Sequence, residues 1–360
     1  MPDKFQLRNF SETDVNDLFF DSLKEDYPDF TQWYKRKVDA GSKAYVFKDE
    51  NGLGAFIYLK DENDSIELSD RVLPAAPRLK IGTLKLAEHH HGQRLGEGAL
   101  GLALWQWQEK RVPEVYITLY EKHTMLVSLI KRFGFNFIGV KNNGESVYIK
   151  SRKDVDYSDP YKSFPFIDPT FKKAGYIIVD DLYHDTLFPR SELKNVPYSE
   201  VNTAAANGIS KVYVGANISP HYCKREPVLI YRKHTKNDGQ KPKFKSCLTS
   251  YCVVTDIIFI KKYGKFLMTY DKLKDKVGNK SVFDEQDIRN KYNTEKNVVV
   301  IQMLYYGYFG EGNNVNYDWL ERNGYWADPE VYPTDVRLSP AQFKEILEEG
   351  RVDVQNTIID

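Results

Sequence analysis

The run Gln93-Arg94-Leu95-Gly96-Glu97-Gly98-Ala99 carries residue types that can hold a pyrophosphate. It lies between an apolar stretch and an amphipathic one, which predicts a tight turn from strand into helix. Such a turn aims unpaired main-chain N–H groups and the positive end of the helix dipole at one point. Gly96 and Gly98 keep side chains from holding the phosphates off the backbone, and Arg94 can add a charge-assisted bond. Two other phosphate motifs do not fit. A Walker loop ends in Gly-Lys-Ser/Thr, a triplet absent from the chain. The dinucleotide fingerprint needs G-x-G-x-x-G directly after a strand, and Gly92, Gly96 and Gly98 are spaced differently.

Two further groups invite chemistry. His89, His90 and His91 are consecutive. If the preceding strand continues through them, their side chains alternate in direction and cannot all face one site, so exposed loop histidines are expected and no metal site. Farther on, Lys224, Arg225, Arg232, Lys233, Lys236, Lys241, Lys243 and Lys245 fall in one stretch with Tyr231, Phe244 and Tyr251. Cations beside aromatic rings suit phosphate contact and base stacking, with Tyr231, Arg232, Lys236 and Lys243 as the expected nucleic-acid contacts; a solvated lysine loop is the alternative. Cys223, Cys247 and Cys252 are an odd set without a CxxC pair. With His221 they lack zinc spacing, and buried, reduced thiols are expected.

The elements that must position these residues follow from periodicity and punctuation. Residues 5–10 form an expected strand, Ser11 caps a helix through Leu23, and a second helix covers 30–38. Strands at 43–48 and 53–60 flank an Asn-Gly turn. A strand over 79–87 leads into the glycine turn, and a helix over 96–110 buries Leu100, Ala103, Leu104 and Trp107. Then come a strand at 115–120, a helix at 124–133 stopped by Gly134, and a hairpin of 135–140 with 147–150. Residues 151–174 lack a clear period and predict a linker with packed aromatics (Phe164, Phe166, Phe171). Beyond it, strands are expected at 176–179, 211–214, 227–232, 250–260 and 298–308. Helices are expected at 199–206, 284–291 and 339–348, the last opened by a Ser339/Gln342 capping box with Pro340 at its first position. The class is α+β.

The chain has 360 residues, which predicts two domains: 1–152, then a linker over 153–174, then 175–360. Lys+Arg and Asp+Glu are 51 each, so no global field draws nucleic acid or membrane and any basic surface is local. The start of the chain lacks a signal peptide's apolar core, and no apolar run approaches the ~20 residues of a membrane span. A cytoplasmic protein without membrane contact is expected.

Gln93-x-x-Gly96-x-Gly98 matches the Q/R-x-x-G-x-G/A loop of the GNAT acetyltransferase superfamily. The strand at 115–120, its following helix and the closing Arg132-Phe133-Gly134-Phe135 also resemble that superfamily, as does the element order of the first half. The resemblance implies a mixed, splayed sheet flanked by helices, with acetyl-CoA as co-substrate. It places the pantetheine arm against the main chain of Leu86 and Ala87, and the phosphates against Gln93, Arg94, Leu95, Gly96, Glu97, Gly98 and Ala99. It makes Glu88 the expected base. The sequence departs from the pattern at His123, where Asn is common, and at Ile130, where a proton-donating Tyr is common. Tyr120 or His123 would then be the acid.

In the second half, His184-Asp185-Thr186-Leu187-Phe188-Pro189, Ile209-Ser210-Lys211-Val212-Tyr213-Val214 and Pro227-Val228-Leu229-Ile230-Tyr231-Arg232 resemble the PUA/ASCH/EVE superfamily of small β-barrels. That resemblance implies a PUA-like barrel with helices and RNA or DNA as partner. The expected function is acetyl-CoA-dependent N-acyl transfer to an amine on a protein or an RNA-linked acceptor. The alternative is a non-catalytic acyl-CoA-binding module joined to a nucleic-acid or modified-base reader.

Overall fold

The computed structural model describes residues 5–189, 191, 203–217, 219–220, 222–235, 241–326 and 336–359. The chain divides into two compact units, Met1–Asp154 and Val155–Asp360.

The first unit contains β1 (Gln6–Asn9), α1 (Asp21–Asp26), α2 (Phe30–Asp39), β2 (Lys43–Asp49), β3 (Gly52–Glu62), β4 (Ile66–Glu67), β5 (Val72–Leu73), β6 (Arg78–Leu86), α3 (Leu95–Lys110), β7 (Glu114–Leu119), α4 (Thr124–Arg132), β8 (Asn136–Val140) and β9 (Ser146–Ser151). Its main sheet runs β1-β2-β3-β6-β7-β9-β8, while β4 and β5 pair with each other. Only β6 and β7 are parallel neighbours in it. Side chains alternate across the strands, so two cores form. On one face Phe20, Phe30 and Tyr34 pack on Val46, Phe56 and Tyr58. On the other, Leu95, Ala99 and Leu102 of α3 pack on Tyr45, Phe47, Ala55 and Ile57.

The expected Ser11 cap is not what forms. Asn9 and Glu12 make the capping box of a 3-10 turn at Phe10–Glu12, Asp17 caps another at Leu18–Phe20, and α1 starts only at Asp21. Short Asn and Asp side chains that bond nearby amides compete with a continuous helix.

In the second unit, β10 (Gly175–Asp180), β11 (Ser210–Gly215), β12 (Pro227–Lys233), β13 (Cys247–Lys262) and β15 (Val298–Tyr308) run in the order β10-β12-β13-β15-β11. Two short strands, β14 (Lys265–Phe266) and β16 (Val315–Asn316), pair with β13. Three register shifts along β13 and β15 bend the strands, and the sheet curls into a half-barrel. The 339–348 expectation is met by Pro340–Glu349, with Ser339 and Gln342 closing the capping box. The expected helix at 199–206 lies partly outside the described residues; Ala204–Asn207 is helical. Helices at Tyr270–Val277 and Tyr317–Arg322 were not expected, nor was the short one at Pro242–Lys245. The stretch expected to be a linker packs into this unit: Phe164 lies against Tyr306 (5.2 Å between rings) and Phe171 against Phe343 (5.4 Å). Cys247 and Cys252 are buried, and burial pushes the Cys247 thiol up to about 12. Cys223 is exposed, contrary to the expectation of three buried thiols. Among the described residues no helix is long and apolar enough to cross a membrane.

Candidate active site

The site begins where two strands part. β6 and β7 are paired from Arg78↔Glu114 to Ile81↔Ile117, and there the pairing ends although both strands continue. On the other edge of β6, Tyr58 of β3 pairs with Thr83 and Leu59 with Ile81, so Gly82 is an extra residue, a bulge that bends the strand. A Cβ at Gly82 would lie 2.9 Å from the Tyr58 ring. The parted strands open a cavity of about 1000 Å³ lined by Gly82 to Leu86 on one side and Ile117 to Leu119 on the other.

At the far end of β6 the chain makes the glycine turn. Gly92 (φ 77°) and Arg94 (φ 59°) take left-handed conformations, and α3 starts at Leu95 with no side-chain cap among the described residues. Its first-turn amides have no partner within the helix, and the dipole adds positive potential there. Leu95 and Ala99 point their side chains into the core, and Gly96 sits with its Cβ position 3.0 Å from Leu86 Cδ1. Main-chain amides of Leu95 and Gly96 are therefore what this turn offers an anion.

Several expected contacts are redirected. The Arg94 guanidinium is paired with Glu97 at 2.9 Å, both side chains 9% exposed, so it is turned along the helix. The Gly98 amide donates to Arg94 O (3.2 Å), because it is already the first regular helical bond. The Gln93 side-chain amide donates to His89 O (3.3 Å), back toward the histidines. The Ala87 amide donates to Gly54 O (2.9 Å) across the β3 edge. Backbone polar groups alternate sides along a strand, so those of Leu86 and Leu84 face the gap and those of Ala87 do not.

Beyond the last paired residue, Thr118 projects onto the face shared with Tyr116, Lys80 and Glu62. Its hydroxyl donates to Glu145 Oε1 (3.1 Å), as does Tyr27 (3.1 Å), while the Asn143 side chain donates to Oε2 (2.9 Å). Burial, then the adjacent Glu145 charge, push the Tyr27 hydroxyl far above its ordinary value, so it stays protonated. Burial lowers Lys80, whose Nζ lies 3.8 Å from Glu62 Oε1; Glu62 also bonds Lys60 (2.7 Å) and Tyr116. Sequence reasoning missed this cluster. Its members are up to 118 residues apart, and no local pattern marks them.

Of the expected catalytic residues, Glu88 and His123 line the cavity and Tyr120 does not. Glu88 is exposed and lines the cavity, but it sits in a 3-10 turn, Glu88–His90. In register with β3, Leu86 lies four residues past Ile81 (Ala55 against Leu59), roughly 13 Å along the sheet, and Glu88 follows two residues later. Tyr120 is half-buried with its ring on Tyr27 (5.5 Å), outside the cavity wall. His123 Nε2 is 2.8 Å from Asp26 Oδ2, and Lys122 bonds the same carboxylate. Burial alone would raise Asp26, but these two partners outweigh it and hold it below the ordinary range. Ile130 is fully buried. The histidine run does not continue as a strand. The 3-10 turn brings the His89 and His90 rings to 4.3 Å, so the expected alternation fails.

In the second unit two of the expected nucleic-acid contacts, Tyr231 and Arg232, face inward, while Lys243 is exposed. β12 lies between β10 and β13. Tyr231 is buried against Trp326 (4.8 Å), and Arg232 is 5% exposed and grips Asp185 bidentately at 2.7 and 2.8 Å. Lys243 is paired with Asp318 (3.4 Å) and Glu321. Lys236 lies outside the described residues. A central strand packed on both faces cannot present its ring and guanidinium to a nucleic acid.

No protein-family model matches the chain, and no curated protein matches it in sequence. Solved structures do. A GNAT-family acetyltransferase from Listeria monocytogenes is 22% identical, with TM-score 0.31 over 41% of this chain and 94% of its own. A GNAT-family acetyltransferase from Elizabethkingia anophelis with acetyl-CoA bound is 16% identical, with TM-score 0.29 over 41% and 99%. ASCH from Zymomonas mobilis is 10% identical, with TM-score 0.31 over 49% and 94%. Each of these likenesses covers less than half of this chain.

Proposed function

We propose that the first unit transfers an acetyl group from acetyl-CoA to an amine. The observation that carries this is the parting of β6 from β7 after Ile81↔Ile117 beside the helix start at Leu95, which has no side-chain cap among the described residues. The diphosphate would rest on the Leu95 and Gly96 amides, and the pantetheine arm would run back along β6 against the main chain of Leu86 and Leu84. That places the thioester near Gly82 and Thr83. The amine would approach over Thr118. Its nitrogen attacks the thioester carbon, the oxyanion is held by a main-chain N–H of β6, and the C–S bond breaks to release the thiolate of coenzyme A. Glu145, held at the parting point by Thr118 and Tyr27, takes the amine proton.

A second reading keeps the binding and drops the chemistry. It is favoured by Ile130, a buried alkyl chain where a proton donor is common in the superfamily, and by Tyr120 lying outside the cavity wall. Acetyl-CoA should raise the melting temperature, since it binds only the folded state, and Gly96→Glu should remove that rise. Thiol release with protein, peptide and RNA-linked amines separates the readings. Release above background supports transfer; a thermal shift with no release from any acceptor supports the binding module. RNA or DNA as carrier of the acceptor is tested by binding to the full chain. A steep fall in affinity with salt is expected if phosphates are contacted.

A further inference from the structure

We propose that Asp49, His89 and His90 form a binding site for one divalent transition-metal cation of the zinc class. One ligand atom from each residue lies within 4.8 Å of the other two. Asp49 Oδ2 is 2.8 Å from His90 Nε2 and 3.5 Å from His89 Nε2. Two imidazoles and one carboxylate are a donor set for zinc or cobalt rather than for magnesium or calcium, which take oxygen. Metal–ligand bonds of about 2.0–2.2 Å fit the longer of these spacings and need only a slight opening of the shorter.

An independent observation points the same way. His90 is 3% exposed, and its Nε2 has no hydrogen-bond partner, although a carboxylate oxygen is close by. That oxygen therefore lies off the line an N–H would take. On the other side of the ring, Nδ1 faces Gln93 Oε1 at 3.4 Å. With Nδ1 donating to that oxygen, the Nε2 lone pair is left for a ligand, the usual arrangement of a metal-binding histidine. The carboxylate is oriented too: Asp49 Oδ1 accepts from the Asn51 amide (2.8 Å), leaving Oδ2 toward the rings. Position 54 must be glycine here, because a Cβ would stand 2.8 Å from His90 Nε2 and 2.6 Å from the Phe47 ring. A cation in this site ties the end of β2 to the 3-10 turn that precedes Gly92, bracing the glycine turn. The site does not depend on acetyl transfer.

The test uses the full chain, untagged and stripped of metal. Titration with Co²⁺ should show one saturable equivalent with visible d–d absorption, and Zn²⁺ should displace it. Zn²⁺ should also raise the melting temperature. His89→Ala, at an exposed position, and Asp49→Asn should each weaken Co²⁺ binding by roughly tenfold or more. His91→Ala should leave it unchanged. Absence of saturable binding, or an affinity that His89→Ala and Asp49→Asn leave intact, overturns the site and makes the cluster a His90–Asp49 ion pair.

Discussion

Glu145 is the carboxylate at the parting point of β6 and β7, and Glu88 is a surface residue by the turn. Glu145→Gln should therefore lower kcat by about 100-fold or more with the Kd for acetyl-CoA unchanged, whereas Glu88→Gln should change kcat little. Equal losses in the two variants would remove Glu145 from its assigned role. In the second unit Asp185 is the residue to watch. Burial opposes its charge, but the bidentate Arg232 and His184 outweigh burial and hold it well below the carboxylate range. A carboxyl lowered in the folded state contributes stability that is complete above its unfolded value of about 4, lost as pH falls through the folded value. Asp185→Asn should thus cost about 3 kcal/mol at pH 7, because it strips the buried Arg232 of its main partner; Asp181 at 3.9 Å is a weak substitute. Urea unfolding between pH 7 and pH 2 should show a shallower acid slope for this variant than for the parent chain. The ring of Tyr231 and the charge of Arg232 looked like surface features in one dimension. Their burial depends on β12 having a neighbour on each side, which no local pattern records.

Among the elements, the glycine turn decides most. Helical period, strand ends and the Gln93-to-Ala99 run were legible because each depends on residues a few positions apart. Which of those residues meets a ligand was not. Arg94 is turned onto Glu97 and Gly98 is absorbed into the helix ladder, both consequences of where α3 starts. Gly96→Ala should be tolerated after a small shift of Leu86 and keep most of the acetyl-CoA thermal shift. Gly96→Glu should abolish it by forcing a long, charged side chain against Leu86 and Leu129 beside the Leu95 and Gly96 amides. Gly54→Ala should destabilise the unit by about 1–3 kcal/mol through overpacking on Phe47 and His90, read by chemical denaturation.

At the scale of the molecule, the two units have separate sheets and separate cores. Residues 1–154 contain every group assigned to acetyl transfer. Expressed alone, that segment should bind acetyl-CoA with the Kd of the full chain by calorimetry, and a loss of binding would mean that the site needs the second unit. The amino-acid order by itself determined the α+β class, the strand and helix succession from Lys43 to Ser151, and the glycine turn, because propensity, capping and period act over a handful of residues. Only the tertiary structure decided which carboxylate stands at the gap, which cations are already paired, and that two neighbouring histidines meet an aspartate 40 residues upstream of the first of them. Those outcomes come from strand pairing, bulges and burial, which join residues far apart in the chain.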